Sequence, residues 1–160
     1  MQNLIKEGRH ERDDWVLVED DAPIPDSGSI ILPLAIYQAQ KPDWDNTDRK
    51  IGVWLNDEQM AEDTAGSLES LSLIALRFPK FADGRGFSKA RLLRDRYGYK
   101  GEIRAIGDFL PDQVFYMLRC GIDAFACRTE EEATTALSLL TPFSVLYQSD
   151  TSSSPLFAHR

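Results

Sequence analysis

Between Ile51 and Leu140, short apolar runs alternate with amphipathic stretches, and this alternation restricts the chain more than any other feature. Ile51–Leu55 (IGVWL) and Leu71–Phe78 (LSLIALRF) have the length and β-branched or aromatic content of strands buried on both faces. Glu102–Ile106 and Ile122–Cys127 follow the same pattern. Helical spacing separates them. Met60, Ala61, Thr64 and Leu68 share one side of a helix that Asn56 or Asp57 can cap, and Ala90, Leu93 and Tyr97 share a side behind Ser88. Pro111 opens a helix through Leu118. Thr129, with Glu132 at capping-box spacing, opens the last, whose stripe is Ala133, Ala136, Leu137 and Leu140. Four consecutive β-α units predict an α/β fold with a mostly parallel sheet. A closed eight-unit barrel needs ~250 residues, so 160 residues fit an open sheet or a half-barrel.

Upstream, Trp15–Glu19 reads as a strand, Ile30–Ile31 as another, and Pro33–Gln40 as a short helix; residues 41–50 form a polar connection. The expected organisation is a flexible N-terminus over 1–14, a single domain over 15–148 and a flexible tail over 149–160. No apolar run reaches the ~20 residues of a membrane span, and the first residues lack the apolar segment of a secretion signal. The expected location is the cytoplasm. Cys120 and Cys127 match neither a redox pair nor a zinc site and are expected as reduced core thiols. His10 and His159 stand near opposite ends of the chain, so no metal site and no nucleophile–His–acid set is expected in the core.

The net charge of −8 argues against general nucleic-acid binding. The charge is unevenly spread. Residues 77–104 hold nine Lys or Arg against three acids, a net +6 that leaves −14 for the rest. Such an island can receive an anion or an acidic partner, though several of its cations could simply solvate a helix. Its loop combines Arg77 and Lys80 with Gly84-Arg85-Gly86 and Ser88. The glycines permit close backbone approach, the arginines offer planar forks, and the helix start adds N–H donors. Neither a Walker loop nor GxGxxG is present. Asp108, just past a strand end, is the candidate acid/base group or a partner orienting Arg77 or Arg85. Arg104 alternates within its strand toward the site or away from it. Asp112 and Gln113 read as helix-start residues, and Cys127 would need a depressed pKa to react, which Arg128 could favour.

The stretches DGRGFSKARLLR and GEIRAIGDFLPDQ, within the longer run from Ala75 to Phe125, together with GVWLN upstream and YQ near Tyr147, carry a resemblance. The chain resembles an uncharacterised bacterial family of small proteins labelled as oxidoreductases and associated with assimilatory sulfite reduction. The resemblance implies a partner, sulfite reductase or its electron donor, and defines no catalytic residue. No flavin, nicotinamide, haem or iron–sulfur motif accompanies the label, so the sequence assigns no cofactor. Two functional expectations follow: an accessory protein docking on sulfite reductase or its donor, or a small enzyme or sensor holding an oxyanion or phosphorylated ligand at the strand ends. A third is an oligomeric structural protein.

Overall fold

The computed structural model describes residues 3–79 and 84–150. Its one sheet has eight strands: β1 (Asn3–Lys6), β2 (Arg9–Glu11), β3 (Trp15–Leu17), β4 (Ser29–Pro33), β5 (Ile51–Leu55), β6 (Leu73–Phe78), β7 (Glu102–Gly107) and β8 (Ala124–Cys127). Their spatial order is β2-β1-β8-β7-β6-β5-β4-β3. The six strands from β3 to β8 are parallel and lie in sequence order, as right-handed crossovers all winding one way require. The helices are α1 (Leu34–Ala39), α2 (Lys41–Asp45), α3 (Arg85–Asp95), α4 (Val114–Arg119) and α5 (Glu130–Asp150).

The sheet is largely parallel, as expected, but mixed, which corrects the expectation that consecutive β-α units build all of it. β1 runs antiparallel to β8, and β2 antiparallel to β1, so residues 3–11 form a hairpin where a loose terminus was expected. The reason is visible in β1. Ile5 packs into the helix-side core, and Lys6 donates a 2.8 Å bond to Glu102 on the other face. Only two apolar residues in NLIK fell short of a readable strand pattern.

The sheet must curl. Eight strands at ~4.8 Å spacing would set the edge strands roughly 34 Å apart if flat, yet β2 and β3 are joined only by residues 12–14. That link reaches about 15 Å at most. The result is a half-barrel with two cores. The larger lies under the helices and contains Ile30, Val53, Ile74, Ile103 and Phe125 from strands, with Leu93, Met117 and Ala136 from helices. The smaller fills the concave face with Ile31, Trp54, Leu73, Ala75, Ile106 and Ala126, flanked by Trp15 and Leu17, and holds no helical residue. Curling buries this face without a second helical layer.

Several helix starts differ from the sequence reading. The segment after β5 is an Asx turn, with Asn56 Oδ1 accepting from the Glu58 and Gln59 N–H groups, followed by a 3₁₀ helix over Ala61–Ser67. Gly84, at φ +95°, rather than Ser88, precedes α3. The helix after Pro111 begins as a 3₁₀ turn (Pro111–Gln113) before α4. Thr129 caps α5 as expected, its Oγ1 accepting from the Glu132 N–H at 3.1 Å.

Candidate functional site

The carboxyl ends of β6 and β7 meet in one rim. Phe78 pairs with Gly107 in the sheet, and the Asp108 N–H donates to the Phe78 carbonyl at 2.9 Å. Arg77 and Asp108 therefore stand on neighbouring strand ends, with Gly107 between them. Gly107 has φ +93°, and a Cβ there would lie 2.5 Å from the Phe78 oxygen and 3.2 Å from Arg77 Cγ. Only glycine fits that close approach.

Among the described residues, the charged groups at these strand ends, Arg77 and Asp108, are engaged by the chain itself. Arg77 points to the concave side, its guanidinium 4.1 Å above the Trp54 ring. It donates to both Glu19 oxygens, at 3.0 and 2.9 Å. Asp108 accepts from Arg128, which also binds Glu132 at 2.8 Å. The bond to Arg128 holds the Glu132 carboxyl below the usual carboxylate range, and the same bond raises Arg128. Asp108 thus has Arg128 rather than Arg77 or Arg85 as its cation.

Gly86 serves packing, since a Cβ there would lie 2.4 Å from the Phe78 ring. Phe78 in turn meets Phe87 and Phe109, and Phe87 meets Tyr116, with centroids 5.1–6.3 Å apart. Arg85 and Ser88 are exposed on the first turn of α3, with Ser88 Oγ donating to the Gly84 carbonyl at 3.4 Å. Lys80 lies outside the described residues.

Arg104 belongs elsewhere. It is 1% exposed and projects into the concave face, where its guanidinium binds Asp13 at 3.0 Å and Glu102 at 2.8 Å. Glu102 also holds Lys6, and that hydrogen bond raises the Lys6 pKa. These groups border a cavity of about 280 Å³, with Lys50 and Ser29 at the amino ends of the parallel strands and residues 11–14 across it. The cavity therefore opens at the opposite end of the strands from the rim. Nothing in the sequence separated an inward Arg104 near the strand start from one near its end.

Much of the basic island is structural. Lys89 is buried and donates to the Asn56 carbonyl at 2.9 Å. Arg94 donates to the carbonyls of Gly121, Tyr99 and Gly101 at 2.8–3.0 Å and lies 3.4 Å from Asp123. It thereby ties α3 to the turns that lead into β7 and β8. Two further cations of the island, with Arg119 from outside it, are exposed at α3 and α4. Arg91 is exposed on α3, Arg96 at the C-cap of α3, and Arg119 on α4. Leu92 and Tyr116, on the same two helices, are 37% and 52% exposed. Contacts of Phe87 with Tyr116 and of Arg91 with Cys120 Sγ, the latter at 3.8 Å, hold the two helices side by side.

Cys127 ends β8 facing the helix-side core, 8% exposed. Burial, reinforced by Glu132, pushes its thiol up to about 11. The cation beside it, Arg128, is already bound to Glu132 and Asp108 and does not create a reactive thiolate. Alkylation of Cys127 at pH 7.5 is expected to run on the order of 100-fold slower in the native protein than in urea. Equal rates measured by mass spectrometry of the labelled peptide would contradict this placement.

Among the described residues no group of three or more His, Cys, Asp or Glu side chains is placed to hold a metal ion, and no helix is long and apolar enough to cross a membrane. A family model described as bacterial protein of unknown function (DUF934) matches residues 52–157. The match spans most of the chain, from β5 through α5, and the chain belongs to that family. No curated protein matches it.

Proposed function

We propose that this family member is an accessory protein of assimilatory sulfite reduction that docks, through the outer faces of α3 and α4, on an acidic surface of sulfite reductase or of its electron donor. The observation that carries the reading is the composition of that face. Exposed Leu92 has Arg91 beside it and Arg96 one turn on, and exposed Tyr116 has Arg119 one turn on, in a chain of net charge −8. Arginine and tyrosine around an apolar centre are what partner surfaces favour, and a basic patch on an acidic protein selects an acidic counterpart. Asp95 and Asp112 are also exposed nearby, so the face is mixed with a cationic excess. The association with sulfite reduction rests on the sequence resemblance.

A second reading, an enzyme or sensor binding an oxyanion at the strand ends, draws support from the placement of Arg77 and Asp108 on one rim. It is the weaker of the two for catalysis, because Asp108 is engaged by Arg128 and Arg104 lies at the other end of the strands.

The test is sedimentation of the purified protein with the sulfite reductase haemoprotein, and separately with its electron donor, at low and high salt. Association at micromolar concentration that weakens as salt is raised is expected. Absence of any complex at low salt with both candidates would remove the reading.

A further inference from the structure

Three features stand outside the docking face: the cavity at the amino ends of the strands, the buried Asp13–Arg104–Glu102 cluster, and the Arg77–Glu19 contact. The first two are one feature, since the cluster lines the cavity and its charges pair with one another. The third has the form of a ligand seat.

Arg77 is fixed in an orientation before any ligand arrives. Its guanidinium lies 4.1 Å over the Trp54 indole. Trp54 is itself 3% exposed and donates Nε1–H to the Val18 carbonyl at 2.9 Å. Gly107 leaves room for the Arg77 stem at 3.2 Å from its own ideal Cβ position. The fork then presents two parallel N–H donors outward, at the carboxyl ends of β3, β5 and β6, where parallel sheets receive ligands. The acceptor now on that fork is Glu19, the residue following Val18. Both of its oxygens are used, yet its side chain is 56% exposed, against 31% for Arg77. It begins an irregular, mostly exposed segment with Pro23 and Pro25 that leads to β4. One partner is thus rigid and the other rides on a solvent-facing connection.

We propose that Arg77 on its Trp54 platform is a seat for a small oxyanion presenting two oxygens to one guanidinium, and that Glu19 occupies this seat as an internal competitor. An exposed pair of this kind is individually weak, so a ligand with comparable oxygens displaces it. A bidentate, stacked fork also distinguishes arginine from lysine at this position. The seat lies on the opposite face of the sheet from α3 and α4. The inference is therefore independent of the docking reading and survives its failure.

The experiment titrates acetate and, separately, inorganic sulfate into the full-length protein, following the Trp54 indole N–H and Arg77 Nε–H resonances. Saturable shifts in the millimolar range are expected. Glu19→Ala should tighten binding roughly two- to five-fold, the loss of an exposed carboxylate competitor. Arg77→Lys, which keeps the charge and removes the fork, should weaken it. Preference for acetate would identify a carboxylate ligand, and preference for sulfate a tetrahedral one; both support the seat. Equal affinities in the wild type and Glu19→Ala, binding unchanged in Arg77→Lys, or no saturable shift with either anion would each overturn it.

Discussion

Replacing Arg104 with Met is expected to destabilise the protein by about 3–5 kcal/mol, the range for removing one partner of a buried ion pair. The side chain of Asp13 is fully buried and that of Glu102 is 10% exposed, and both bind the Arg104 guanidinium. Without it two carboxylates face a low-dielectric interior, and Asp13 loses the bond that anchors the link between β2 and β3. That link crosses the concave face to reach a central strand, so its release also loosens the curl of the sheet. Lys6 compensates only in part, since it reaches Glu102 and not the 12–14 link. Urea denaturation with the slope held constant is the appropriate measurement. Pairing Arg104→Met with Asp13→Leu should cost less than the two changes summed, because each single change already breaks the same ion pair. A loss under about 1 kcal/mol in the single variant would show that the cluster does not hold the sheet closed.

Gly107→Ala is the other large effect. The backbone there has φ +93°, and the added methyl would sit 2.5 Å from the Phe78 oxygen and 3.0 Å from its nitrogen. Both neighbours are backbone of the adjacent strand and cannot swing aside. A cost of about 2–4 kcal/mol is expected from combined strain and overlap, visible as about 2–4 °C in Tm per kcal/mol for a chain of this size. Gly98 supplies the control. It also has positive φ, +64°, but a Cβ there meets nothing within 4 Å. Gly98→Ala should therefore lose only the conformational part, roughly 1–2 kcal/mol. Equal losses at the two positions would mean that crowding against Phe78 contributes nothing.

The regular half of the molecule was legible because periodicity reports burial. Ile51–Leu55 agrees end to end, and the strands at Leu73, Glu102 and Ala124 fall inside or against their apolar runs. The N-terminal hairpin was not legible. RHE is short and polar, and NLIK gains its place through Lys6 meeting Glu102 almost a hundred residues away. Curling was hidden for the same reason, since it follows from where β2 ends up. At the candidate site, loop composition singled out Arg77 and Asp108, and strand adjacency does bring them to one rim. Their partners came from distant segments, Glu19 and Arg128, that no local spacing connects to them. The glycines around Arg85 illustrate a different limit. Gly86 is small because Phe78 packs against it, a reason indistinguishable in sequence from room left for a ligand.

Binding of the Arg96→Glu, Arg119→Glu double variant to sulfite reductase and to its electron donor tests the docking account most directly. Both side chains are exposed, Arg96 at the C-cap of α3 and Arg119 in the last turn of α4, so the variant should fold, with its melt lowered only by the roughly 0.3–1 kcal/mol that each acid costs at a helix end. The account predicts affinity reduced by roughly tenfold or more at low salt, with a shallower salt dependence. A folded variant that binds its partner as tightly as the wild type, with the same response to salt, would contradict it.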